Sequence, residues 1–282
     1  MTKKIITSIM LFIFLINTYV YALDYSFSAR IINSGTKKYK AVKFTPQIYN
    51  NTVENLADLE IFDDNNEPVP YFINSFYESL GEKEYFTETF SPDFDVVQKE
   101  NSTVIKVKGL KNLRLCGISL VTPSMFKRNV TFDSRASKML YNLSFENVEQ
   151  KDLTLSLEPY KVTSDTGEIV IDNKDDKPIK VSAIEVSYLV DELVFEGSGS
   201  SGYTLKFGNS EIYKPKSYDL SNYREYILSE GYDVLSIKDV KGSPAKEPAP
   251  VKEPYDYKPV FNIAISIVAV ILAIIIFLKI KK

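Results

Sequence analysis

Tyr25-Ser26-Phe27-Ser28-Ala29-Arg30-Ile31 separates its side chains by turns: Tyr25, Phe27, Ala29 and Ile31 fall on one face, Ser26, Ser28 and Arg30 on the other. Successive side chains of an extended strand point to opposite sides, so a period of two marks a strand with one face on a core and one in water. The rhythm continues at Val42 and Phe44 and recurs as far as residue 208. Leu59-Glu60-Ile61-Phe62 runs into Asp63-Asp64-Asn65-Asn66, residue types that tolerate positive φ and bond their own backbone, hence a turn. Pro68-Val69-Pro70-Tyr71 belongs at an edge or a strand start, because neither proline has an amide to give to a ladder.

Further strands are predicted over 83–90, 103–108, 113–121, 129–133, 153–157, 168–172, 179–189, 192–196 and 203–207. One helix is predicted over 221–230, where Leu220, Tyr223 and Ile227 keep helical spacing, Ser221 offers a cap and Gly231 a stop. More than ten short strands exceed one compact sandwich. The expected fold is therefore all-β, with two β-sandwiches over 23–98 and 99–240, divided in the polar stretch Val97-Gln98-Lys99-Glu100-Asn101-Ser102.

Both ends carry their own signals. Lys3 and Lys4 precede the largely apolar run Ile5–Ile16, and Val20-Tyr21-Ala22 fits a peptidase site, so 1–22 reads as a secretory signal peptide. Val260–Leu278 is nineteen residues with only Asn262 and Ser266 polar, and at ~1.5 Å per residue it spans the ~30 Å of hydrocarbon. Lys279, Lys281 and Lys282 follow it, which places a basic tail, 279–282, on the cytoplasmic side. The linker 241–259 holds five of the thirteen prolines and the doubled Lys246-Glu247-Pro248 and Lys252-Glu253-Pro254. Such a segment favours polyproline II, a stalk reaching up to roughly 60 Å. The expectation is a single-pass type I protein of the inner (cytoplasmic) membrane, its body extracytoplasmic and its one lipid contact the C-terminal transmembrane helix.

Composition narrows the chemistry. The chain has 282 residues, no histidine, no tryptophan and one cysteine. That removes Ser-His-Asp and Cys-His machinery, His-ligated zinc or haem, thiolate clusters and internal disulfides. Residues 23–240 carry 25 basic and 34 acidic side chains, a balance of −9, a poor match to nucleic acid or anionic lipid. Export with almost no cysteine, and a Lys-, Asn- and Ile-heavy composition, fit a bacterial cell envelope rather than a disulfide-stapled animal module.

Leu56-Ala57-Asp58-Leu59-Glu60-Ile61-Phe62-Asp63 with Glu67-Pro68-Val69-Pro70-Tyr71 resembles the N-terminal signature of domain-of-unknown-function family 3999. Asp191-Glu192-Leu193-Val194-Phe195-Glu196-Gly197 with Tyr203-Thr204-Leu205-Lys206-Phe207-Gly208-Asn209 is similar to that family's distal motif. The resemblance implies a bacterial, secreted protein anchored by one C-terminal helix, and it implies no activity. Lys127-Arg128-Asn129-Val130-Thr131-Phe132, Glu168-Ile169-Val170-Ile171-Asp172-Asn173 and Lys177-Pro178-Ile179 are similar in rhythm to discoidin-like, galactose-binding jelly rolls, many of which bind glycans.

Four motifs invite a functional reading. Gly197-Ser198-Gly199-Ser200-Ser201-Gly202 matches G-x-G-x-x-G, but a dinucleotide fingerprint needs a helix to follow, and Tyr203-Thr204-Leu205-Lys206-Phe207 is strand-like; a hairpin loop is expected. Asp63–Asn66 and Asp172-Asn173-Lys174-Asp175-Asp176 are oxygen-rich without calcium-loop spacing, so Asx turns are expected. Cys116 has no activating neighbour and reads as an inert thiol. No catalytic, cofactor-binding or metal site is assigned. The leading expectation is a non-enzymatic, membrane-anchored protein presenting a recognition surface to another envelope membrane protein. The alternatives are a glycan-binding module using the distal jelly roll and a carboxylate-based hydrolase of wall polysaccharide.

Overall fold

The computed structural model describes residues 24–75, 87–242 and 279. The protein is all-β: among the described residues seventeen strands form three sheets, with two short helices and one 3-10 turn. The signal, most of the linker, the membrane helix and all of the tail except Lys279 lie outside the described residues; among the described residues no helix is long and apolar enough to cross a membrane.

The first sheet draws on both ends of the body. β1 (Phe27–Ile32), β2 (Tyr39–Lys43), β3 (Glu60–Phe62) and β4 (Tyr71–Ser75) are joined by β15 (Asp191–Glu196), β16 (Gly202–Phe207) and β17 (Tyr232–Gly242), in the order β3-β16-β1-β17-β2-β15-β4. Neighbours are antiparallel except β17 and β2. The ten strands between form the other two sheets. β6 (Phe94–Gln98), β7 (Ser102–Lys108), β9 (Phe126–Phe132), β10 (Ala136–Phe145), β11 (Val148–Asp152) and β13 (Thr166–Asp172) make one of six strands, in the order β11-β10-β9-β13-β7-β6. β5 (Thr87–Phe90), β8 (Arg114–Val121), β12 (Thr154–Lys161) and β14 (Ala183–Leu189) make one of four, in the order β12-β8-β14-β5.

The boundary expected at 97–102 is therefore a turn within a hairpin: β6 pairs with β7, and the Lys99 amide bonds the Ser102 carbonyl. A single cut there does not separate the sheets, because three of the seven strands in the first sheet lie beyond residue 190. The expected helix also begins later. Asp219–Tyr223 is a 3-10 turn in which the Ser221 hydroxyl donates to the Tyr218 carbonyl, and α-helix proper runs Arg224–Glu230. It stops where expected, at Gly231, whose φ of +83° few other residues adopt. An unexpected first helix, α1 (Pro46–Asn51), carries Pro46 in its opening turn, where a missing amide costs nothing, so Arg224–Glu230 is α2.

Strands covered on one side alternate as the sequence says. In β13, Gly167, Ile169 and Ile171 are buried while Glu168 and Asp172 are exposed. β2 and β15 are covered on both sides, which explains the unbroken run Leu193-Val194-Phe195. Val42, Leu193 and Phe195 enter the main core, while Ala41 and Val194 face the other way, under Ile227 and Leu228 of α2.

That main core continues from the first sheet into the other two. Phe44, Tyr49, Tyr188 and Phe90 follow one another edge to face at 5.8, 6.1 and 5.8 Å. Beside them Arg114 of β8 donates to both oxygens of the Asp191 carboxylate at 2.7 and 2.8 Å. Tyr49 donates its hydroxyl to the same carboxylate at 3.0 Å and accepts the Asp191 amide at 2.7 Å; burial raises its pKa. Asp191 is 1% exposed, so losing Arg114 would strand a buried charge at a cost of about 3–5 kcal/mol. This pair fixes the join between the first sheet and the inserted strands.

Candidate functional site

The stretches Leu56–Asp63 and Glu67–Tyr71 meet Asp191–Gly197 and Tyr203–Asn209 in the sheet: Ile61 pairs with Leu205 and Tyr71 with Phe195. Asp58, fully buried, accepts the amides of Val53, Gly208 and Asn209 at 3.0, 2.8 and 3.0 Å, tying the two stretches together. Along one flank of this framework run two open clefts, of about 490 and 250 Å³, both lined by Tyr218.

The larger cleft has Pro68, Pro70 and Leu220 as its apolar lining, with Asp63, Glu67, Glu196 and Asp219 around them. The smaller has Tyr71, Phe72 and Ile73 on one side and Lys216, Tyr218 and Arg224 on the other. Together the clefts follow consecutive residues from Glu67 to Ile73, with the segment before α2 as the opposite wall. The rings of Tyr71 and Tyr218 lie 5.4 Å apart, and burial raises the pKa of both hydroxyls; that of Tyr71 donates to the Leu59 carbonyl at 2.5 Å. Lys216 reaches the buried Glu60 carboxylate, which also accepts the Tyr25 hydroxyl; partial burial lowers the Lys216 pKa and pushes that of Tyr25 up to about 12. Arg224 bonds Asn74 at 2.7 Å and stands over the Phe72 ring. The first cleft is thus acidic and the second basic, with Tyr218 lining both; the pair is called the groove.

Of the motifs singled out in the sequence, two come together. The glycine loop Gly197–Gly202 runs into β16 at Gly202, and the Asp63–Asn66 turn follows β3, the neighbouring strand. Asp64 accepts the Ser201 amide at 2.9 Å, the Ser201 hydroxyl at 2.7 Å and the Gly202 amide at 3.2 Å, while its other oxygen meets Arg30 at 2.7 Å. These bonds, the Ser201 hydroxyl first and then Arg30, hold the Asp64 pKa down at about 2. The amides that a phosphate would need already have an anion, one supplied by the chain. Gly202 is required at this point, since a Cβ would meet the Ile31 carbonyl oxygen at 2.8 Å. The rest of the turn is the expected Asx structure: Asp63 accepts the amides of Asn65 and Glu67, and Asn66 takes φ +62°.

The second oxygen-rich loop, Asp172–Asp176, is organised by a cation of the chain. Buried Arg128 donates to the Asn173 side-chain oxygen at 2.5 Å and to the Lys177 carbonyl at 2.7 Å, and Asn173 passes a bond to Thr103 at 2.9 Å. Cys116 is half-buried, and burial raises its thiol pKa. Among the described residues no three or more Cys, Asp or Glu side chains are grouped so as to hold a metal ion.

Sequence reasoning did not single out Tyr218, Lys216 or Arg224. Their signal was present but divided, in two prolines read as a strand edge and a helix read for its apolar positions. A third cleft, of about 280 Å³, lies on the inserted strands between Arg135 and Tyr160; Arg135 stands 4.2 Å above the Tyr160 ring, whose buried hydroxyl has no hydrogen-bond partner. Comparison with known proteins finds no matching family model, no matching curated protein and no matching solved structure.

Proposed function

We propose that this chain is a non-enzymatic, membrane-anchored protein of a bacterial cell envelope that presents a recognition surface to another envelope protein. In this reading residues 1–22 direct export, 260–278 hold the chain in the inner membrane with 279–282 inside, and 241–259 raise the body off the lipid. The body joins a seven-stranded sheet to an inserted pair of sheets, the inserted pair of jelly-roll type. Support for the jelly roll is the path of the chain, which passes repeatedly between the six- and four-stranded sheets from β5 to β14. Support for kinship with family 3999 is the pairing of its two motif stretches in one sheet.

The observation that carries the recognition reading is the segment from Tyr213 to Tyr226. It walls the groove through Lys216, Tyr218 and Arg224, and beside that wall it exposes Tyr213, Tyr223 and Tyr226 at 82, 58 and 76%. Tyrosine and arginine are the side chains that protein interfaces enrich, since each offers a broad apolar surface with a polar tip. Cross-linking the anchored chain in its own membrane, with the captured material identified by mass spectrometry, tests this: a protein partner is expected, and recovery of wall glycan alone overturns it.

A glycan-binding reading rests on the cleft at Tyr160, where an aromatic ring, an arginine and an unpartnered hydroxyl line one small space. In the same experiment it predicts the opposite product.

A further inference from the structure

We propose that the groove along Glu67–Ile73 receives an extended segment of a partner protein, with a lysine or arginine side chain among Glu67, Glu196 and Asp219 and prolyl or aliphatic side chains against Pro68, Pro70 and Tyr218. The inference rests on the recognition reading above and adds the chemistry of what is recognised. Three features converge on it.

The first is shape. The two clefts follow Pro68 to Ile73, six consecutive residues, or ~20 Å of extended chain. Two clefts set end to end along one extended stretch, with Tyr218 common to both, suit another extended chain better than a compact small molecule.

The second is the lining. Pro68 and Pro70 have no amide, so this half of the trough offers a partner's backbone no donors from those residues. Binding there relies on side chains, and pyrrolidine rings with Tyr218 and Leu220 form a surface for prolyl and aliphatic groups.

The third is charge. Glu67 and Asp219 are exposed and meet no cation among the described residues, while Glu196 shares Lys38 at 3.4 Å with both side chains half exposed. A cationic side chain would find several carboxylates without displacing a buried pair. At the other end Arg224 is held by neutral Asn74 and stacked on Phe72, which fits an acidic group of the same segment and sets its direction. With a body charge of −9, long-range steering also favours a cationic partner over an anionic one.

The test uses the full chain in phosphatidylcholine nanodiscs and a fluorescent hexapeptide, Lys-Pro-Leu-Pro-Leu-Glu, read by anisotropy. Saturable binding that weakens at least tenfold in the double variant Glu67→Gln, Asp219→Asn is expected, with a further loss between 50 and 300 mM salt. Both positions are exposed, and an unchanged thermal midpoint of the double variant verifies that folding is intact. A peptide with glutamate in place of lysine should not bind. Equal binding of the two peptides, or an unaffected double variant, overturns the inference. If neither peptide binds while cross-linking still captures a protein, the chemistry proposed for the groove is refuted and the recognition reading stands. Capture of glycan alone refutes both.

Discussion

Asp63-Asp64-Asn65-Asn66 and Asp172-Asn173-Lys174-Asp175-Asp176 are nearly interchangeable as compositions, yet the fold uses them with opposite polarity. In the first, a carboxylate gathers amide and hydroxyl donors from the glycine loop. In the second, an amide oxygen and a backbone carbonyl gather a guanidinium. Strand register makes the difference. Phe62 pairs with Thr204, so continuing the ladder by two residues sets Asp64 beside Gly202. Ile171 pairs with Val130, so the same step sets Asn173 beside Arg128. An oxygen-rich loop declares what it can accept; the neighbouring strand decides what it is offered.

The contrast breaks most sharply at Arg128. It is buried, donates to the Asn173 side-chain oxygen and the Lys177 carbonyl, and meets the exposed Asp176 carboxylate at 4.0 Å. Arg128→Ala is expected to cost about 3 kcal/mol, from the unsatisfied oxygen of buried Asn173 and lost packing together, measured as a lower urea midpoint at constant slope. Arg128→Lys should recover part of this, since an ammonium reaches one acceptor but lacks the planar fork that spans two. A loss below about 1 kcal/mol for the alanine variant would mean that the loop holds itself.

Legibility in the sequence followed the same division between local and relayed information. Strands with one covered face, such as Tyr25–Ile31 and 168–172, announced themselves through alternation. The hairpin of β10 and β11 did not: Phe145 and Val148 are exposed, and Glu149, Gln150 and Lys151 have no covered face to encode. β17 was missed for a related reason, because of its eleven residues only Leu235 is buried. The return of β15, β16 and β17 to the first sheet depends on pairings more than 110 residues apart, which no local period records. The groove suffers most, as its lining comes chiefly from 67–73, 196–198 and 215–224, and none of the three looks like a site alone.

Asp64 gives the smaller perturbation and the finer test. It sits at the surface, its bonds local to the glycine loop, so Asp64→Ala should leave the urea midpoint far closer to wild type than Arg128→Ala does. The effect should be local instead: faster proteolytic nicking within 197–202, and faster amide exchange at Ser201 and Gly202, the two residues whose amides lose their acceptor. Nicking at the wild-type rate would show that other contacts suffice, among them Asn33 on the Ser200 carbonyl and the Tyr203 hydroxyl on the Ser198 amide.

The same carboxylate makes the glycine loop acid-sensitive, and the Arg128 loop provides the control. Asp64 titrates near 2 in the folded chain, against ~3.9 for an unfolded aspartate. A pKa depressed by folding contributes stability that is complete above the unfolded value and disappears as the pH falls through the folded one. The clasp is therefore unaffected from pH 5 to 8, weakens below about 4 and is gone below about 2. The two hydrogen bonds that Arg128 donates end on an amide oxygen and a backbone carbonyl, neither of which titrates in that range. Amide shifts of Ser201 and Gly202 should accordingly move with a midpoint near 2, that of Asn173, whose amide bonds the Asn101 carbonyl, should not follow it, and Asp64→Ala should abolish the transition. A midpoint near 4 at Gly202 would mean that Asp64 is solvated like any surface aspartate, and the two loops would then differ in packing alone.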